Sequence, residues 1–137
     1  MTQFVLDASF ALHWCFEDEA TSASDAILTQ LETQQATAWV PAIWPHEVLN
    51  ALGKGVTRGR VERQKAFLFW QEIRTLPIRV VDVAANQKLL ELALQHDLAV
   101  YDASYLSLAI ARGLSIATGD RKLRTASETV GLAIIAP

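Results

Sequence analysis

Phe4-Val5-Leu6-Asp7-Ala8-Ser9 places three apolar residues in a row before an acid and two small residues. An unbroken apolar run this short reads as a strand buried on both faces, because a strand with one face in water alternates instead. Similar runs return at Ala38-Trp39-Val40-Pro41, Ile78-Arg79-Val80-Val81, Ser115-Ile116-Ala117-Thr118 and Leu132-Ala133-Ile134-Ile135. Between them the apolar residues fall at helical spacing. One stretch runs from about Ser9, a second covers 22–34 with Ile27, Leu28 and Leu31 on one face, and a third follows Pro45 with Val48, Leu49, Ala51 and Leu52. Gly53 and Gly55 weaken the far end of that third helix. Further helices are predicted over 61–76, carrying Phe67, Phe69, Trp70 and Ile73, and over 83–96 with Asp82 as N-cap. Two more cover 101–112, ended by Gly113, and 121–130, stopped by Gly131. Short apolar strands alternating with helices predict a parallel sheet covered on both faces, a three-layer α/β/α domain.

The 137 residues suit one domain, 1–137, with no linker, repeat or low-complexity stretch. Hydrophobic residues at 51% against 20% charged exclude a disordered chain. A single cysteine, Cys15, excludes an internal disulfide framework and a cysteine-rich zinc site, and it suits a reducing, cytoplasmic setting. The start of the chain lacks the features of a signal peptide, and no apolar run reaches the ~18 residues of a spanning helix, so no membrane association is expected. Leu6-Asp7-Ala8-Ser9 is neither a dinucleotide fingerprint nor a phosphate loop, which argues against nicotinamide and ATPase chemistry.

The formal net charge of −3 is unevenly spread. Residues 1–53 hold seven carboxylates and no Lys or Arg, whereas residues 54–137 hold all 12 basic residues against eight acids. An acidic site beside a basic surface suits the handling of a polyanion. In an open parallel sheet, ligands collect at the carboxyl ends of the strands. Asp7 closes the first strand and Asp120 follows the fourth. Glu47 and Asp102 lie in the first turns of helices that start on the same edge. Each has an ordinary structural role open to it, as a turn residue, a helix cap or helix surface. Four carboxylates from four distant segments on one rim, however, repel one another unless a cation joins them. All-oxygen ligation selects Mg²⁺ or Mn²⁺ over zinc, and such a site suits phosphodiester hydrolysis.

Leu-Asp-Ala-Ser at 6–9, Glu-Val-Leu-Asn-Ala-Leu at 47–52, Tyr-Asp-Ala-Ser-Tyr-Leu-Ser-Leu-Ala at 101–109 and Ala-Thr-Gly-Asp-Arg-Lys-Leu at 117–123 resemble, in order and over the whole chain, the PIN-domain ribonucleases. The resemblance is strongest to the VapC toxins of bacterial and archaeal toxin–antitoxin pairs. It implies a five-stranded parallel sheet and Mg²⁺- or Mn²⁺-dependent cleavage of RNA. Asp7, Glu47, Asp102 and Asp120 would be the catalytic metal ligands. Ser9 and Thr118 match small hydroxyl positions near them, and Asn50 matches a polar position one turn after Glu47. It further implies a VapB-like antitoxin covering the acidic site and a second copy of the chain. Arg58, Arg60, Arg121 and Lys122 are candidates to contact the RNA backbone. The alternative is a PIN fold kept as a silent protein- or RNA-binding module, against which the intact set of acids speaks. A haloacid-dehalogenase-like phosphatase would need a second Asp where Ser9 stands.

Other features read as structural. Asp97 is a turn residue, Glu17-Asp18-Glu19 an exposed acidic loop, and Cys15 a small buried hydrophobe. His13, His46 and His96 lack metal-ligand spacing. The aromatics Trp14, Trp39, Trp44, Phe67, Phe69 and Trp70 are assigned mainly to the core. Phe67 and Trp70 share a helix face that Phe69 leaves, which hints at an association surface.

Overall fold

The computed structural model describes residues 1–137. At its centre lies β1 (Thr2–Leu6), whose Phe4, Val5 and Leu6 are fully buried, as an unbroken apolar run demands. The chain continues through α1 (Ala8–Ala11), two single 3₁₀ turns at Leu12–Trp14 and Glu17–Glu19, and α2 (Ser22–Glu32). It then forms β2 (Ala36–Pro41), α3 (Trp44–Thr57), α4 (Arg63–Ile73) and β3 (Ile78–Val81). Next come α5 (Gln87–Gln95), α6 (Val100–Arg112), β4 (Ser115–Ala117), α7 (Arg121–Thr129) and β5 (Ile134–Ile135).

All neighbouring strands are parallel, in the order β3-β2-β1-β4-β5. The expected five-stranded parallel sheet is therefore present. The chain steps outward from β1 to β2 and β3, then returns to lay β4 and β5 on the other side. Right-handed crossovers in opposite directions place helices on opposite faces of the sheet. Val5 pairs with Trp39 of β2 and with Ile116 of β4, so β1 is the strand from which the two halves diverge. The carboxyl end of β1 beside β4 is thus the switch point of the sheet, where a crevice opens.

Local signals set the helix ends. Thr21 and Ser24 form a reciprocal capping box on α2, each side-chain oxygen accepting the other's backbone N–H at 3.0 Å. Gly113 ends α6 in the left-handed conformation, φ 64°, that C′ positions favour. Three sequence expectations need correction, the third being the two glycines of α3. The helix predicted from Val83 starts at Gln87, because Asn86, not Asp82, is its cap and accepts Leu89 N–H at 3.2 Å. Its apolar helical repeat also begins only at Leu89 and Ala93, the two buried positions. Phe67 is 57% exposed rather than core, since α4 turns Ala66 and Ile73 inward.

Gly53 and Gly55 do not fray α3, which runs on to Thr57. Gly55 is there for packing: a Cβ on it would lie 2.9 Å from the Phe16 ring, whereas a Cβ on Gly53 meets nothing within 4 Å. The two glycines should therefore respond in opposite ways. Gly53→Ala is expected to stabilise the protein by about 0.5–1 kcal/mol through helix propensity. Gly55→Ala should destabilise it by about 1–3 kcal/mol through overpacking. Urea unfolding midpoints of the two variants measure this, and equal shifts of one sign would refute the packing role of Gly55.

Candidate active site

Asp7 leaves β1 with its backbone still in the sheet, its N–H donating to the Ala117 carbonyl at 2.9 Å. Its side chain caps nothing in α1 and is only 4% exposed. Ser9 Oγ donates to Asp7 Oδ2 at 2.5 Å and Thr118 Oγ1 donates to the same oxygen at 2.7 Å. The two hydroxyls accept in turn from the next loop, Ser9 Oγ from Gly119 N–H and Thr118 Oγ1 from Asp120 N–H, both at 3.0 Å. Asp7 Oδ1 is left without a partner.

Two of the other three acids follow the same pattern. Glu47, in the first turn of α3, accepts the Tyr105 hydroxyl on Oε1 at 2.5 Å and keeps Oε2 free. Asp120 caps α7, its Oδ2 accepting Leu123 N–H at 2.9 Å, and keeps Oδ1 free. Asp102, in the first turn of α6, has no hydrogen-bond partner; the cap of that helix is Ala99. Every acid therefore presents at least one uncommitted carboxylate oxygen.

Their charges act on one another. Burial raises the Asp7 carboxyl above its ordinary range; the Ser9 and Thr118 hydrogen bonds pull it down and the Asp120 charge pushes it up again. Glu47 is raised by burial, against the Tyr105 hydrogen bond, with further push from Asp7 and Asp102. Asp102 is raised to about 6 by burial and then by Asp7 and Asp120, with Lys122 opposing. The Tyr105 hydroxyl is driven well upward by burial and by the Asp7 and Glu47 charges, so it remains a donor. Acids at residues 7, 47, 102 and 120 thus share one electrostatic neighbourhood at the switch point.

The PIN domain family matches residues 4–128 of this sequence. The chain belongs to the PIN-domain family. A search of curated proteins finds no match. Among solved structures, PAE2754 of Pyrobaculum aerophilum superposes with a TM-score of 0.76 at 22% identity, over 98% of this chain and 84% of that one. VapBC2 of Rickettsia felis, bound to a DNA fragment from its promoter, matches with a TM-score of 0.61 at 17% identity, over 98% of each chain. VapC20 of Mycobacterium tuberculosis, a toxin that cleaves the sarcin–ricin loop, gives 0.60 at 15% identity, over 90% of this chain and 94% of that one.

This PIN domain brings Ser9 and Thr118 into direct contact with Asp7. Asn50 is exposed and makes no side-chain hydrogen bond to the acids. Arg58 and Arg121 are exposed and unpaired, whereas Lys122 lies 3.4 Å from Asp97. Arg60 bridges Asp18 and Glu19 at 3.3 and 3.2 Å and lies over the Phe16 ring, so its charge is largely spent within the chain. Tyr105 had no role assigned from sequence. Its position three residues after Asp102 puts both on one face of α6, which was the available signal.

The donor set consists only of oxygens, which suits a hard divalent cation. No three acids stand close enough to enclose an ion on their own. Mg²⁺ does not require that, since it keeps several waters and binds through one or two carboxylates together with substrate phosphates. The rim therefore fits such an ion.

The raised acids carry a pH signature. Because folded Asp102 holds its proton up to about 6, against 3.8 ordinarily, the folded state binds more protons than the unfolded one between those values. Stability without divalent ions should then fall as pH rises through that window and stay reduced above it. Asp102→Asn should raise the melting temperature at pH 7.5 in chelator by about 2–5 °C, on the order of 1 kcal/mol for a half-exposed group. A lower melting temperature for that variant would refute the repulsion.

Proposed function

We propose that the protein is a metal-dependent endoribonuclease, the toxin of a VapBC-type pair, that hydrolyses RNA phosphodiester bonds at the Asp7–Glu47–Asp102–Asp120 rim. The observation that carries this reading is the set of four carboxylates, each with at least one free oxygen, at the switch point of a PIN-family sheet. Asp7, Glu47, Asp102 and Asp120 would hold Mg²⁺ or Mn²⁺. Such an ion supplies Lewis-acid polarisation of the phosphate and a water acidic enough to act as nucleophile near neutral pH.

The chain's own groups supply the order that this chemistry needs. Ser9 and Thr118 restrain Asp7 by engaging Oδ2, which leaves Oδ1 for a cation. Tyr105 does the same for Glu47. The α7 cap orients Asp120. Asp102, with no hydrogen-bond partner, is the least restrained of the four and is only partly buried. Arg58, Arg121 and Lys122 would contact the RNA backbone. A cognate antitoxin is the expected partner, supported by the likeness to VapBC2, and a homodimer is the further assembly we propose. No helix is long and apolar enough to cross a membrane.

The deciding assay is cleavage of RNA by antitoxin-free protein with Mg²⁺ or Mn²⁺, with chelator, and with Asp7→Asn. Cleavage is expected only for the wild type with metal, and activity that survives both chelator and the substitution sinks the mechanism. Absence of cleavage with retained RNA binding would instead indicate a silent binding module. Tyr105→Phe tests the supporting shell separately. Loss of its hydrogen bond to Glu47 should cost about 10–100-fold in activity or metal affinity, and an unchanged rate would remove Tyr105 from the site.

A further inference from the structure

Beside the acidic rim runs an open groove of about 330 Å³ between the segment after α1 and the far half of α3. Ser9 and Gly119 form its inner end, and these residues also hold the Asp7 shell together. The groove is thus continuous with the crevice. Its far walls carry Lys54, Arg58 and Arg60. Arg60 is taken by Asp18 and Glu19, and Glu19 is the one acid in the lining. Lys54 and Arg58 are exposed and in no salt bridge, so they give the groove an unspent positive charge that the first 53 residues wholly lack.

His13 adds a different chemistry. Its Nδ1 lies 2.7 Å from the Glu19 carbonyl oxygen, which can only accept. Nδ1 therefore carries the hydrogen, and in the neutral ring Nε2 is a bare acceptor. Nε2 has no partner in the protein and faces Gly119, where a Cβ would come within 3.3 Å of it. A phosphate diester offers no donor to such an atom. The one donor on an RNA backbone is the ribose 2′-hydroxyl, which DNA lacks.

We propose that this groove seats the RNA backbone flanking the cleaved bond, with Lys54 and Arg58 on a phosphate and His13 Nε2 accepting from an adjacent 2′-hydroxyl. This rests on the ribonuclease reading above and adds to it a basis for choosing RNA over DNA. The test is fluorescence anisotropy of wild type and variants, in chelator, with single-stranded RNA, DNA and 2′-O-methyl RNA of one sequence.

Lys54→Ala and Arg58→Ala should weaken RNA and DNA alike, and each should flatten the logarithmic salt dependence by about 0.7. His13→Ala should weaken RNA about two- to tenfold and leave DNA unchanged. On the wild type, 2′-O-methyl RNA should show that same loss with no change to the protein. Lys88→Ala, exposed on α5, is the control. The groove is refuted if its lysine and arginine variants match Lys88→Ala, or if wild type binds no RNA. Equal affinity of RNA and 2′-O-methyl RNA removes His13. Metal-dependent cleavage is scored independently, so the groove can fail while the nuclease stands, and a groove that binds without cleavage would separate the two in the other direction.

Discussion

A carboxylate almost fully buried at the end of the central strand is the constraint around which this fold is arranged. Asp7 is costly where it stands unless its oxygens are satisfied. The chain meets that cost with two hydroxyls drawn from opposite sides of the switch point, Ser9 from the segment after β1 and Thr118 from the end of β4. Those hydroxyls then accept the N–H groups of Gly119 and Asp120, so the polar cluster is also the clamp that fixes the β4–α7 loop. Register between β1 and β4 and the position of Asp120 are consequences of one satisfied acid. A slip of one residue would turn Thr118 away and leave Asp7 buried without partners.

The cluster is not built to be stable in isolation. Burial and neighbouring charge raise Asp7, Glu47 and Asp102 together, and each rise measures free energy that the fold gives up at neutral pH. A core of fully buried side chains, among them Phe4, Phe10, Leu31, Val48, Leu106 and Leu123, offsets that loss. Tyr105 belongs to both accounts. Its ring is wholly buried in the core and its hydroxyl fixes Glu47, which couples packing of α6 to the geometry of the rim. Such coupling is what a preorganised site requires, since orienting groups locked by packing do not have to be ordered again when substrate arrives.

Much of this was legible in the sequence for one reason: strands buried on both faces leave unbroken apolar runs, and the acids that end them stand out. Phe4-Val5-Leu6-Asp7 and Ile116-Ala117-Thr118 located the sheet edge and two of its four acids directly. What escaped was what depends on contacts between distant segments. The start of α5 moved because Asn86 outcompeted Asp82 for a cap, a contest between two plausible caps four residues apart. Phe67 is expected mainly in the core, on a face shared with Trp70, whereas the α4 face that turns inward is set by Ala66 and Ile73. Gly55 was read as a helix breaker because Phe16, 39 positions away, is invisible as its neighbour until the chain is folded.

Charge shows the same limit most sharply. The total of −3, and even the split between an acidic first part and a basic second part, treat every ionised group as equal. In the fold, Lys65 and Arg60 pair with the three acids of the Glu17–Glu19 loop, so an acidic run and two cations largely offset one another within one surface. Among the charges in no salt bridge are the four acids at the switch point, and Lys54 and Arg58 a groove's width away. A polyanion held by the second would lie next to the first, where its own charge adds to the repulsion already present unless a divalent cation intervenes. On the ribonuclease reading, the basic groove would bind the flanking backbone without an ion, whereas the approach of the cleaved phosphate to the acids would need one, and there substrate and cation would each lower the cost of the other.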